Sequence, residues 1–286
     1  MKAAMRCLMR ALQWRLLVLW AAVTMVPATV LTLPFWAVLG ASFDYSAHGA
    51  SLARELDLST LADLALNAEQ ASLALGGAAL AALMLTLLLS PFLSGMALHA
   101  ARCEQAPGFA ELTGGGARHY PRLLRMMAVG AIPFGLAALL GRAALRLADG
   151  YAESAILESR AELARLAAMA LLALLLMLAD ASVDAGRAVL AADNRRTSAL
   201  AAWWSGCCLV FTRPRLVLGR YLAISVAGLT LAALLSLLRL HVAPVGIGAF
   251  AGALLLTQAI VAVLGWMRAA RLFALLEAAR PTSAYH

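Results

Sequence analysis

The sequence predicts an all-α bundle of six membrane-spanning helices, and three observations carry this prediction. Of the 286 residues, 63% are hydrophobic and only 13% are charged, and the mean hydropathy is +0.85. A soluble domain is about 45–50% apolar and about 25% charged, so this chain has too little polar surface for a soluble enzyme. Long uncharged stretches also alternate with short arginine-rich segments, which is typical of a polytopic membrane protein.

The predicted spans follow from the length that a helix needs to cross a bilayer, which is about 20 mostly apolar residues. They are approximately residues 16–41, 72–99, 122–147, 161–184, 216–239 and 246–270. The third and fourth contain uncharged stretches of only 16 and 14 residues. These two cross fully only if flanking arginines extend along the helix surface to the interface. Because prolines interrupt the long first stretch, we interpret it as an uncleaved anchor rather than a signal peptide.

The distribution of basic residues predicts the orientation. If the amino terminus is cytoplasmic, 17 of the 23 lysines and arginines lie in cytoplasmic segments and six lie outside. This bias follows the positive-inside rule and predicts a multi-pass protein of the bacterial cytoplasmic membrane, with both termini in the cytoplasm. The basic pI of about 10 would also fit a nucleic-acid-binding protein, but the arginines flank apolar stretches and no such motif lies between them. We therefore expect no nucleic-acid partner.

Motifs for catalysis or metal binding are not found in the sequence. The four cysteines, Cys7, Cys103, Cys207 and Cys208, form no C-x-x-C pair, and we expect reduced thiols rather than a metal site. The sequence contains no H-E-x-x-H, G-x-G-x-x-G, Walker or G-x-S-x-G motif. We therefore predict no cofactor, no metal and no catalytic residue.

Two segments are predicted to lie along the membrane surfaces. In residues 52–70, leucines recur at helical spacing, which favours an amphipathic helix on the outer surface, although a solvated connector also fits. Residues 188–212 combine arginines with tryptophans and predict an interfacial segment on the inner surface. The residues expected at the lipid headgroups or the interface are Arg122, Arg125, Arg195, Arg196, Trp203, Trp204 and Arg215.

The two inner segments resemble each other and predict an internal repeat. Each leads into a Pro-Arg-Leu sequence, at Pro121 and at Pro214, which are 93 positions apart. Because proline suits the first turn of a helix, each is expected to begin the following span. Spans two and three would then form a parallel repeat with spans four and five. The alternative is a chance likeness between two segments rich in alanine and arginine.

The most informative polar residues are Asp180 and Asp184, near the end of the fourth span. They lie four positions apart and share one helix face, and Arg187 follows Asp184 at a spacing that permits an ion pair. A carboxylate at membrane depth is typical of a transport pathway. The alternative is a structural Asp184–Arg187 pair at the membrane edge, with Asp180 facing a neighbouring helix, and the position of both carboxylates near that edge favours it.

The inner segment "DAGRAVLAADNRRTSALAAWWSGCCLVFTRPRLVLGRYL" also carries a family resemblance. It resembles a segment of bacterial six-helix membrane proteins that are similar to the membrane domain preceding the catalytic domain in some glycerophosphodiester phosphodiesterases. The likeness covers about residues 73–279 and includes no part of that catalytic domain, so it implies no phosphodiester chemistry. The residues that carry it are Asp184, Arg187, Asp193, Arg195, Arg196, Ser198, Ala199, Pro214 and Tyr221.

Three functions follow from these observations. The first is a non-enzymatic membrane protein that acts as a scaffold or subunit through membrane lipids, a partner membrane protein or a second copy of itself. The second is a small transporter or permease subunit that uses Asp180 and Asp184, and the third is a lipid-modifying membrane enzyme. A solid core with paired carboxylates at its rim favours the first, whereas a water-filled cavity reaching Asp180 favours the second.

Overall fold

The computed structural model describes residues 9, 11–43, 71–103, 105–154, 157–193, 198–212, 214–242 and 246–279. Within these ranges the chain forms seven α-helices and no strand, which confirms the all-α prediction. The helices are α1 (Trp14–Phe43), α2 (Ser72–Arg102), α3 (Phe109–Ser154), α4 (Glu158–Ala192), α5 (Ala199–Thr212), α6 (Pro214–Leu240) and α7 (Ile247–Ala279).

All of these helices except α5 are long and apolar enough to cross a membrane, which confirms the prediction of six spans. The two helices with the shortest uncharged stretches, α3 and α4, have 46 and 35 residues. At about 1.5 Å per residue they are longer than the hydrocarbon core, which is about 30 Å thick. Their charged ends therefore continue past the apolar region, where Arg165 Nε of α4 donates to Asp149 Oδ1 of α3 at 3.0 Å. The chain is a multi-pass membrane protein.

Helices that follow one another in the sequence pack together, and the last helix joins the two halves of the chain. Contacts connect α1 with α2, α2 with α3, α3 with α4, α4 with α5, and α6 with α7. In addition α7 contacts α1, α2 and α4. The last span is therefore the central helix of the bundle.

Buried side chains concentrate at one end of the bundle, which we call the buried end. It comprises residues 11–20, 91–101, 112–126, 179–191, 217–224 and 265–276. These segments are the first turns of α1, α3 and α6 and the last turns of α2, α4 and α7, as an alternating up-and-down topology requires. The remainder of the six spans, which we call the apolar half, is much less buried. Residues 247–264 of α7, for example, contain no buried residue.

Two close helix crossings at the buried end depend on glycine. A Cβ on Gly95 of α2 would lie 3.0 Å from the carbonyl oxygen of Gly116 in α3, and a Cβ on Gly206 of α5 would lie 2.5 Å from the backbone nitrogen of Gly186 in α4. Only glycine permits helix backbones to approach this closely. Gly95 and Gly186 are 91 positions apart along the chain, and Gly116 and Gly206 are 90 positions apart. Both separations are close to the spacing of the Pro-Arg-Leu segments, which supports the predicted repeat.

The structure corrects one predicted helix boundary and divides the predicted inner segment between two helices. Pro214 begins α6 as predicted, but the prediction that Pro121 begins a span is wrong, because it lies inside α3. That helix begins twelve residues earlier, at Phe109, and the backbone N–H of Gly108 just before it donates to Glu111 Oε2 at 2.8 Å. The inner segment 188–212 is shared between the last turn of α4 and the separate helix α5. The predicted outer segment 52–70 lies outside the described residues.

Candidate functional site

Charged side chains of α4 and α7 meet inside the buried end, together with a tyrosine of α6 and a serine of α2. We call this group the charged cluster. Its α4 members all lie on one helix face, because positions 180, 184 and 187 are separated by four and three residues. The charged cluster consists of Asp180, Asp184, Arg187, Tyr221, Arg268 and Arg271, with Ser90 at its edge.

The deepest contact is an ion pair within α4. Arg187 Nη1 donates to Asp184 Oδ1 at 2.8 Å, and the side chains are only 7% and 1% exposed. Shielding from water strengthens the attraction between the two charges. Removal of either residue would leave the other as an uncompensated buried charge. The structure therefore contains the Asp184–Arg187 pair that the spacing in the sequence predicts.

Asp180 is bound from two other helices. Arg271 Nη1 of α7 donates to Asp180 Oδ2 at 3.1 Å, and the hydroxyl of Tyr221 in α6 donates to the same oxygen. The Arg271 guanidinium also donates to the Tyr221 hydroxyl, and its central carbon lies 4.8 Å from the centre of the tyrosine ring. One carboxylate oxygen, one hydroxyl and one guanidinium thus link α4, α6 and α7, with a cation–π contact in addition.

Arg268 connects this group to α2. Its Nη2 donates to Ser90 Oγ at 3.0 Å, and it lies close enough to Asp184 and Arg187 to interact with both electrostatically. The charged cluster therefore contains three guanidinium groups and two carboxylates. Its hydrogen bonds connect α2, α4, α6 and α7 at the buried end of the bundle.

Some hydrogen-bonding capacity in the charged cluster is not used by the described residues. Asp184 Oδ2, Arg187 Nε and Arg271 Nε are buried and have no hydrogen-bond partner there. Buried polar atoms are normally bonded, and unpaired ones are costly in a low-dielectric interior. Because these atoms and five charged side chains are concentrated at one place, the charged cluster is the candidate functional site.

Sequence reasoning found the α4 half of this site and missed the rest. Asp180, Asp184 and Arg187 lie together as their spacing predicts, whereas Tyr221, Arg268 and Arg271 were not proposed as members. A signal did exist, because Arg268 and Arg271 lie three positions apart on one face of an otherwise apolar span. An arginine pair at that spacing needs carboxylate partners, and few carboxylates lie near the ends of the other spans.

The residues predicted at the interface occupy different environments. Arg125 and Arg215 are exposed, as is Trp204 at 66%, whereas Arg195 and Arg196 lie outside the described residues. The Trp203 indole nitrogen donates to Ser182 Oγ of α4 at 3.2 Å, so this side chain makes a contact within the bundle.

Arg122 of α3 makes contacts between helices. Its Nη2 donates to the backbone carbonyls of Leu190 and Asp193 at the end of α4, both at 3.0 Å. These carbonyls belong to the last turn of α4, where they have no partners within the helix and carry its negative dipole end. Arg122 therefore caps α4.

Cysteines and metal-binding groups add no second site among the described residues. Cys103, Cys207 and Cys208 form no disulfide bond there, and burial raises the pKa of the Cys207 thiol, which favours its protonated form. In the same part of the chain, no three side chains of histidine, cysteine, aspartate or glutamate come together as a metal site.

Comparison of the chain with models of known protein families finds no match, and comparisons with curated proteins and with solved structures find none either.

Proposed function

We propose that this chain is a non-enzymatic scaffold or subunit of the bacterial cytoplasmic membrane, with both termini in the cytoplasm. It acts through a partner membrane protein, a second copy of itself or membrane lipids. The six apolar helices support a membrane location, and the excess of arginine at the buried end supports the orientation. The observation that carries the proposal is that both carboxylates of the charged cluster are engaged by arginines, Asp184 by Arg187 and Asp180 by Arg271.

The charge arrangement favours a structural role over a transport role. Asp184 is almost fully enclosed and paired with Arg187, and Asp180 is held by Arg271 and Tyr221. A carboxylate that carries an ion or proton must exchange its partners during each cycle, whereas these contacts tie three helices together. A rigid bundle of this kind presents fixed surfaces to a partner.

Purification from native membranes after cross-linking tests the proposal. We expect a tagged full-length chain to retain a specific membrane protein in defined stoichiometry, or a second copy of itself, as identified by mass spectrometry. The variant Asp149→Asn alters the exposed ion pair with Arg165, at the opposite end of the bundle from the charged cluster. It should retain the partner as the wild-type chain does. Reporter tags at the two termini should both be cytoplasmic.

A small transporter or permease subunit is the second candidate, and one observation favours it. Asp184 Oδ2 has no hydrogen-bond partner among the described residues, and Asp180 is 34% exposed, so both carboxylates retain binding capacity. Ion or proton flux in proteoliposomes tests this function. Loss of flux in Asp180→Asn, with the fold intact, would replace the scaffold proposal with the transport proposal, whereas the absence of flux in the wild-type protein supports the scaffold.

The resemblance to the membrane domain of glycerophosphodiester phosphodiesterases forms part of the same proposal. Among the residues that carry it, Asp184, Arg187 and Tyr221 belong to the charged cluster.

A further inference from the structure

A small pocket opens at the buried end where α2, α3 and α4 meet, near the last turn of α4 and beyond the charged cluster along that helix. Its volume is about 170 Å³ including the open space at its mouth, and its lining combines an arginine and a histidine with leucine and alanine side chains. We call it the basic pocket. Its lining residues are Leu98, His119, Arg122, Leu123, Leu190 and Ala191.

The surroundings of the basic pocket are strongly positive. His119 lies within electrostatic reach of Arg102, Arg118 and Arg122, and Arg122 lies within reach of Arg102 and Arg125. The carboxylate of Asp193 acts on Arg122, and that of Glu111 acts on the nearby His99. Four guanidinium groups near these two carboxylates leave a positive surplus, which attracts an anion.

The basic pocket lies at the depth of the lipid headgroups. The uncharged part of α3 begins at Met126, four residues after Arg122, and four helical residues rise by about 6 Å. The headgroup layer on each side of the hydrocarbon core is about 5–8 Å thick. The Arg122 guanidinium therefore lies level with the phosphates of the surrounding membrane, on the side that the arginine distribution predicts to be cytoplasmic.

Arg122 is also held in place before any ligand binds. Its two hydrogen bonds to the backbone carbonyls of Leu190 and Asp193 fix the guanidinium at the rim of the basic pocket. A fixed arginine loses little conformational freedom when it binds a phosphate, which favours affinity. Leu98, Leu123 and Leu190 are at most 2% exposed, so a ligand is contacted through Arg122 and His119 at the mouth of the basic pocket.

We propose that the basic pocket binds the phosphate headgroup of an anionic phospholipid. The inference rests on the proposed function as a membrane protein that acts through lipids, and it names the class of lipid. Arg118 and Arg125 attract the headgroup, since both side chains are exposed and, among the described residues, their guanidinium groups donate to backbone carbonyls of their own helix. Arg122 and His119 then contact the phosphate at the rim.

Native mass spectrometry of the full-length protein, titrated with phosphatidylglycerol and separately with phosphatidylcholine, tests this proposal. We expect selective retention of phosphatidylglycerol by the wild-type protein. In the double variant Arg118→Gln/Arg125→Gln the apparent affinity should fall about 30-fold, since each arginine near a membrane surface contributes about 1 kcal/mol to binding. Arg142→Gln/Arg146→Gln removes the same charge from the exposed opposite end of α3 and should leave the affinity unchanged.

Three results would overturn the proposal. They are equal retention of both lipids, equal loss of affinity in the two double variants, and competition by inorganic phosphate at the same concentration as the lipid, which would identify a soluble anion as the ligand. Arg122→Gln is expected to weaken binding further, and its melting temperature shows whether the loss of the α4 cap also destabilises the fold. Because the scaffold proposal is tested by partner recovery and by flux, its failure is separate from a failure of lipid selectivity.

Discussion

The buried end and the apolar half are made from the same six helices, yet they bury their side chains very differently. In α2, residues 72–90 contain one buried residue, Ala82, whereas nine of the eleven residues from 91 to 101 are buried. In α7, all nine buried residues lie between Gly265 and Leu276. Lipid tails are as apolar as leucine, so the apolar half gains little by burying leucines against protein. Charges and hydroxyls need partners, and the buried end supplies them.

The largest difference between the two regions is expected when the charged cluster is broken. Arg187→Ala leaves the Asp184 carboxylate buried without its main partner, which should destabilise the protein by about 3–5 kcal/mol. Thermal unfolding in detergent, followed by tryptophan fluorescence, measures the effect. The double variant Asp184→Leu/Arg187→Met removes both charges and should recover most of the loss. If the double variant is as unstable as the single one, the pair is not the source of the stability.

A matched pair of leucines in one helix compares the two regions directly. Leu272→Ala creates a cavity at the buried end and should cost about 2–5 kcal/mol, because Leu272 is fully enclosed. Leu255→Ala in the apolar half should change stability by less than about 0.5 kcal/mol, because that side chain is 69% exposed. The same unfolding assay checks both variants. Equal losses would show that a partner or a second copy covers the apolar half.

The glycine crossing of α4 and α5 should respond to a single methyl group. A Cβ at Gly206 would meet the backbone of Gly186 at 2.5 Å, and Gly206→Ala should therefore separate the helices at a cost of about 1–3 kcal/mol. Gly135→Ala in α3 is the control, because a Cβ there has no atom within 4 Å. That control should be neutral or slightly stabilising, since alanine favours a helix. A drop in melting temperature of the same size in both variants would contradict the crossing.

The smallest expected effect is the loss of one hydroxyl from the charged cluster. Tyr221→Phe removes the donor to Asp180 but keeps Arg271 in place, so the loss should be about 1 kcal/mol. Tyr120→Phe, a half-buried position outside the charged cluster, is the matched control and should stay within about 0.5 kcal/mol of the wild-type protein. A shift of the melting temperature in Tyr120→Phe as large as in Tyr221→Phe would remove Tyr221 from the site.

The helical architecture could be predicted from the sequence because a bilayer imposes a simple length requirement on each span. The α4 half of the charged cluster could be predicted for a similar reason, since Asp180, Asp184 and Arg187 share one helix face by spacing alone. The helix boundary at Pro121 could not, because proline favours a first turn and is costly inside a helix, yet α3 contains Pro121 in its interior. The contact between the Gly108 N–H and Glu111 marks the actual start of that helix.

The other half of the charged cluster depends on tertiary structure. Tyr221 and Arg271 are 41 and 91 positions away from Asp180, and no local pattern connects residues at such distances. The basic pocket has the same origin, since Arg122 meets the end of α4 across 68 and 71 positions. In both cases the sequence identifies the charged residue, and only the packing of the helices identifies its partner.

The separation between Asp180 and Arg271 has a consequence for biogenesis. A membrane protein leaves the ribosome from its amino terminus, so α4 is synthesised well before α7. Asp184 meets Arg187 within its own helix as soon as that helix forms, whereas Asp180 obtains its arginine only when the final span inserts. A nascent chain that stops short of the final span therefore carries an Asp180 carboxylate that has its hydrogen bond from Tyr221 but no arginine partner from α7.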